Sequence, residues 1–226
     1  MLNFKNRRAR TAGDTLIEVM FATTVFSLVV VSSLSLMNQG VASAQRSLEI
    51  TTVRQQMDGQ VETLRFLHEA YVQAYQVGQS YDLADRTTSS PAKEYARIIN
   101  YVSGVGSTPS KRAAASTFGG TDACKIPNNP STDFILNPVT GTLNTSATKF
   151  DVFQTAATSA QLTYGTGSNR SVLSHSDGMW VEAVRSASSG TTAGFIDFHI
   201  RACWDAPGLD TPMNLGTIVR LYEPRS

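Results

Sequence analysis

Histidine and cysteine are scarce in this chain of 226 residues, which holds only His68, His175 and His199, and only Cys124 and Cys203. Two cysteines without histidines at ligand spacing make a poor metal site, because structural zinc takes four Cys or His ligands in close pairs. An excess of one charge is also missing: 19 Lys and Arg stand against 18 Asp and Glu. No basic stripe remains to track a phosphate backbone, so no nucleic acid partner is expected. Gly165-Thr166-Gly167-Ser168 lacks both the lysine and the strand–loop–helix setting of a phosphate cradle. Ser174-His175-Ser176-Asp177 gathers the residue types of a catalytic triad, but in one row. Nucleophile, base and orienting acid must converge in space, and this segment reads as a polar turn. His199, between Asp197 and Arg201, reads as a solvated or cross-strand ladder residue. His68 falls on the polar side of a helix, and Trp180 and Trp204 read as core aromatics. No catalytic residue, metal or cofactor is expected, and the chain is not read as an enzyme.

Charge is missing most completely between residues 15 and 37, where Glu18 is the one charged side chain. The stretch covers 23 residues, about 34 Å of helix at ~1.5 Å per residue, which is enough to span a bilayer. Lys5, Arg7, Arg8 and Arg10 precede it with no acid among them, and a basic flank holds that end in the cytoplasm. An acid inside a spanning segment costs roughly 2.5 kcal/mol or more near the bilayer centre. Thr15-x-x-Glu18 also has the form of a capping box, and a carboxylate in the first turn suits the helix dipole. A secretory signal peptide has a shorter apolar core that ends at a small-residue cleavage site. A plain signal anchor explains the basic flank and the span, but not Gly13 or Glu18.

The run A-G-D-T-L-I-E-V at 12–19, with its basic leader and apolar helix, resembles the class III signal of type IV prepilins and of type II secretion pseudopilins. The resemblance covers about the first third of the chain. It implies a prepilin peptidase that cuts after Gly13, with Asp14 the new, N-methylated first residue and Glu18 the fifth. Asp14 stands where the family usually carries phenylalanine. It also implies an assembly role for Glu18, whose carboxylate meets the new amine, and no cofactor. The implied partners are the peptidase, other pilin subunits, the inner-membrane assembly machinery and, before assembly, membrane lipid. The protein would be a single-pass inner-membrane protein with an extracytoplasmic head, then part of an extracellular pilus. Alternatives are a pseudopilin or an anchored, non-polymerising binding module.

Removal of the leader, residues 1–13, takes four basic residues and leaves 15 against 18 acidic ones. Sixteen glycines and many Ser and Thr residues fit a loop-rich, exported β protein. In an exported head the two cysteines read as one disulfide, with two buried free thiols as the alternative. A Cys124–Cys203 bridge would close a loop worth about 4.5 kcal/mol on the chain-entropy model.

Beyond a membrane half at 14–40, Ile50, Val53, Met57, Val61, Leu64, Leu67, Tyr71 and Ala74 recur at steps of three and four. That is one face of a helix, so residues 41–77 read as an amphipathic spine. Glu49, Arg54, Asp58 and Glu62 take the polar positions. Gly78 stands where a left-handed cap is expected, and Gly40 and Gly59 mark candidate bends or melted turns. Residues 78–226 read as the head. Ser90 and Pro91 open a second helix with Tyr95, Ile98, Ile99 and Val102 on its face. Residues 105–148 read as loops with one short strand at Asp133–Leu136. Further strands are expected at 149–154, 160–164, 179–184, 195–204 and 217–222, with 186–193 a hairpin connection. The fold class is α+β: a long N-terminal helix whose amphipathic half carries an antiparallel sheet, the order a pilin fold also has.

Overall fold

The computed structural model describes residues 12–85, 88–104, 133–145, 153–154, 156, 158–186, 188 and 193–224. The chain divides into two compact units, Met1–Ser47 and Leu48–Ser226. Helix α1 (Ala12–Gln76) runs uninterrupted through Gly40 and Gly59. Of the bends or melted turns expected there, the melted turns are absent at both glycines. A Cβ at either position would meet nothing within 4 Å. Each glycine thus marks open space beside the helix, and the continuous backbone ladder outweighs its entropic cost. Ala12, Gly13 and Asp14 are already helical, so Thr15 lies within the helix and is not the N-cap that the capping-box reading required. At the other end Gly78, with φ 71°, closes the helix. Its N–H donates to Tyr75 O (3.0 Å) and that of Gln79 donates to Ala74 O (3.1 Å), the paired bonds of a Schellman cap.

Helix α2 (Pro91–Gly104) is capped by Ser90, whose hydroxyl accepts from Lys93 N–H at 3.3 Å. Its face buries Tyr95 and Ile98. Among the described residues eight strands follow: β1 (Asp133–Leu136), β2 (Leu143–Thr145), β3 (Phe153–Gln154), β4 (Gln161–Tyr164), β5 (Leu173–Asp177), β6 (Met179–Ser186), β7 (Phe195–Trp204) and β8 (Met213–Tyr222). Five of them form an antiparallel sheet in the order β2-β1-β6-β7-β8, and β3-β5-β4 make a smaller mixed sheet. The molecule is thus α+β, with a long apolar N-terminal helix and an antiparallel sheet.

Period-two alternation decides which face is covered. Ile196, Phe198, Ile200, Ala202 and Trp204 of β7 are all buried and share one core with Val53, Met57, Val61, Leu64 and Leu67 of α1. Each fully buried side chain of this kind contributes about 1.5–3 kcal/mol. Three polar residues of α1 then fix the sheets in register. Gln60, fully buried, donates to Leu136 O at 2.8 Å and accepts from Leu136 N–H at 3.0 Å. Gln56 accepts from Leu162 N–H at 2.9 Å, and Glu49 accepts from the Trp204 indole at 3.1 Å. Glu49 therefore faces the core edge and not open solvent.

Two strands arise where loops or turns were expected. β2 lies in the Gly- and Thr-rich middle, where pairing to β1 outweighs weak local preference. The row 174–177 is not a polar turn but most of β5, because Leu173 and Ser176 are buried and Ser176 Oγ donates to Met179 O at 2.6 Å. Gly178, at φ 61°, carries the chain from the small sheet to the large one, and a Cβ there would meet Cys203 O at 2.0 Å. No other residue fits that turn.

Candidate assembly helix

From Thr15 onward α1 carries a segment long and apolar enough to cross a membrane, and none of its most apolar window is buried. Phe21 is 72% exposed and Phe26 70%. Four hydroxyls in this segment close on the helix itself. The hydroxyls of Thr24, Ser27 and Ser32 donate to Met20 O (2.6 Å), Thr23 O (2.8 Å) and Leu28 O (2.8 Å). Thr23 does the same to Met20 O at 3.0 Å. A hydroxyl satisfied by the preceding turn costs little in hydrocarbon, where an open donor would cost several kcal/mol. Glu18 is exposed on this surface, four residues after Asp14. Gly13 and Asp14 lie in the first turn of α1, and residues 1–11 with the basic leader lie outside the described residues.

The remaining site residues are dispersed. Cys203 on β7 is disulfide-bonded, and Cys124 lies outside the described residues. Ser174 Oγ stands 3.2 Å from His175 Nδ1, and His175 Nε2 stands 3.7 Å from Asp177 Oδ2. The first distance is a hydrogen bond and the second is too long for one. Asp177 Oδ2 instead accepts from the Thr163 hydroxyl at 3.1 Å. His68 does not point into solvent: its Nε2 meets Tyr222 O at 2.8 Å and its ring packs edge-on to Tyr95 at 5.1 Å. His199 sits half-buried in the ladder between Glu182 and Ile218. Burial, then the Arg201 guanidinium, hold its pKa below the usual histidine value against the opposing pull of Asp197 and Glu182. Trp180 and Trp204 are both buried, as expected of core aromatics, and Trp180 donates its indole N–H to Glu182 at 2.8 Å. Among the described residues no group of three His, Cys, Asp or Glu is placed to hold a metal ion.

One open cleft of about 530 Å³ lies between α1, the start of α2 and the turn after β1, lined by Glu62, Phe66, Ser90, Val139 and Thr142. The sequence placed Glu49 and Glu62 on the polar face and Ser90 at a helix start, but named neither a cleft nor the docking of the sheets by Gln56 and Gln60. The signal for the latter was present: Gln56 and Gln60 stand four apart inside the apolar stripe, where a polar side chain needs a partner. No family model matches the chain, and no curated protein or solved structure matches it.

Proposed function

We propose that this chain is a structural subunit of a type IV pilus or related filament, matured by a prepilin peptidase and assembled through the first half of α1. One observation carries the reading: an exposed, uninterrupted apolar helical segment, residues 15–37, whose one charge, Glu18, stands at the fifth position after a glycine junction. Before assembly the helix lies in the inner membrane with the sheet-bearing unit outside the cytoplasm. Extraction into a filament replaces lipid contacts with helix contacts, and packing decides the gain. Head-to-tail contacts that do not close generate an open helical polymer.

Cleavage after Gly13 creates a positive amine on Asp14, the group that is also N-methylated. In a dry filament core Glu18 is tolerated only with a partner for its charge, and the amine supplies it. In the membrane monomer Glu18 stays near the cytoplasmic interface, where water and head groups lower the cost. Because Gly13 and Asp14 lie within α1, the peptidase must unwind that turn to reach the bond.

The test is incorporation of Glu18→Ala into sheared filaments. We expect an intact, exported and normally cleaved subunit that is depleted from the filament fraction. Wild-type amounts in filaments would show that the charge pair does not govern assembly.

A further inference from the structure

The ends of the large sheet are finished differently. At β2 the outward N–H of Leu143 meets Glu94 Oε2 at 3.4 Å, so a carboxylate from α2 closes that edge. The edge of β4 is closed by Gln56 and the outward groups of Leu136 by Gln60. At the other end β8 is an edge strand of ten residues. Glu223 N–H donates to Gly194 O at 2.8 Å, which continues the β7 ladder. Alternation along an antiparallel pair therefore turns the N–H and C=O of Asn214, Gly216, Ile218, Arg220 and Tyr222 away from β7. His68 takes the carbonyl of Tyr222. The backbone groups of Asn214 through Arg220 have no such closure among the described residues, and all four positions are exposed. On the same positions Ile218 is 63% exposed and Tyr222 56%. A long open edge bearing exposed apolar side chains is a template for another strand.

We propose that β8 pairs with β8 of a second copy of this chain, antiparallel and centred on Ile218. Self-pairing follows from what each copy can offer: outward N–H groups of β2 and β4 are taken by Glu94 and Gln56, β3 has two residues, and β8 is the long edge. The sequence is also complementary to itself in that register. Ile218 faces Ile218, Arg220 faces Gly216, and Asn214 faces Tyr222. No like charges oppose one another, and Gly216 leaves room for Arg220. Arg220 is already fixed by two 2.7 Å bonds to Asp197 and lies 3.9 Å over the Phe195 ring. A preformed arrangement of this kind costs little side-chain entropy on contact. The interface is two-fold and independent of the filament reading, which needs open head-to-tail contacts.

The experiment uses the full chain in detergent with one cysteine added, oxidised and run without reductant. Paired residues of a hydrogen-bonded couple have Cα atoms about 5.5 Å apart, within disulfide reach. We expect Ile218→Cys to give a covalent dimer and Asn214→Cys alone to give none, whereas Asn214→Cys mixed with Tyr222→Cys crosslinks. Ile218→Lys, an exposed change, should sediment as a monomer with unaltered unfolding. No dimer with Ile218→Cys, equal crosslinking with Asn214→Cys alone, or a dimer that persists in Ile218→Lys would each overturn the proposal.

Discussion

Gln60 shows how a single side chain can hold two elements together. Its amide imitates a strand, giving Leu136 both a donor and an acceptor where β6 no longer reaches. Removing it leaves two buried backbone groups unpaired, each costing about 1–3 kcal/mol. Gln60→Ala is therefore expected to destabilise the fold by about 3 kcal/mol in urea titration, whereas Gln55→Ala on the exposed side changes it by less than about 0.5 kcal/mol. Equal effects would mean that Gln60 does not pin β1. His199 gives a second prediction, with its sign set by burial. A histidine whose folded pKa is depressed contributes stability that is present above the unfolded value, about 6.5, and lost as pH falls through that region. Thermal unfolding should shift down between about pH 7 and 5, and His199→Gln should flatten that part of the profile. An unchanged slope in the variant would assign the loss to carboxylates instead.

At the scale of elements, α1 was legible because its periodicity is long and strict. The steps of three and four from Val53 to Ala74 selected residues that are buried, apart from Tyr71, which is partly buried. β7 was legible for the matching reason, a clean alternation over ten residues. The sequence did not disclose β2 or β5, since both are short, polar and made by their partners in the sheet. Ser176 is buried because the small sheet covers it, a fact that no local pattern carries. Of the bends or melted turns expected at Gly40 and Gly59, the melted turns failed for a related reason: local cost did not outweigh a continuous helix. Gly59 therefore offers a stabilising change. Its Cβ position is open, so Gly59→Ala should raise stability by about 1 kcal/mol, read as a higher melting temperature. Gly178 is the opposite case, and Gly178→Ala should greatly lower the melting temperature, because the new Cβ runs into Cys203 O.

For the whole molecule the apolar helix was the legible part of the candidate site, because its signal is local: a run of that length reads directly as a segment able to span a membrane. Gly13, Asp14 and Glu18 are singled out by the resemblance of the junction to a prepilin signal. The hydroxyls of Thr24, Ser27 and Ser32 are closed on the backbone, which the sequence did not reveal, and this suits a surface that faces lipid or other helices. The docking of α1 by Glu49, Gln56 and Gln60 was not legible, since nothing local names their partners. The central claim is that the chain is cut once, at the junction four residues before Glu18. Intact mass and N-terminal sequencing of the protein from membranes of cells with a prepilin peptidase test it most directly. The expected result is a mature chain that begins at Asp14, and accumulation of the uncut chain in Gly13→Val. A wild-type chain that retains residues 1–13, or one cut downstream of Met37, would contradict the filament reading.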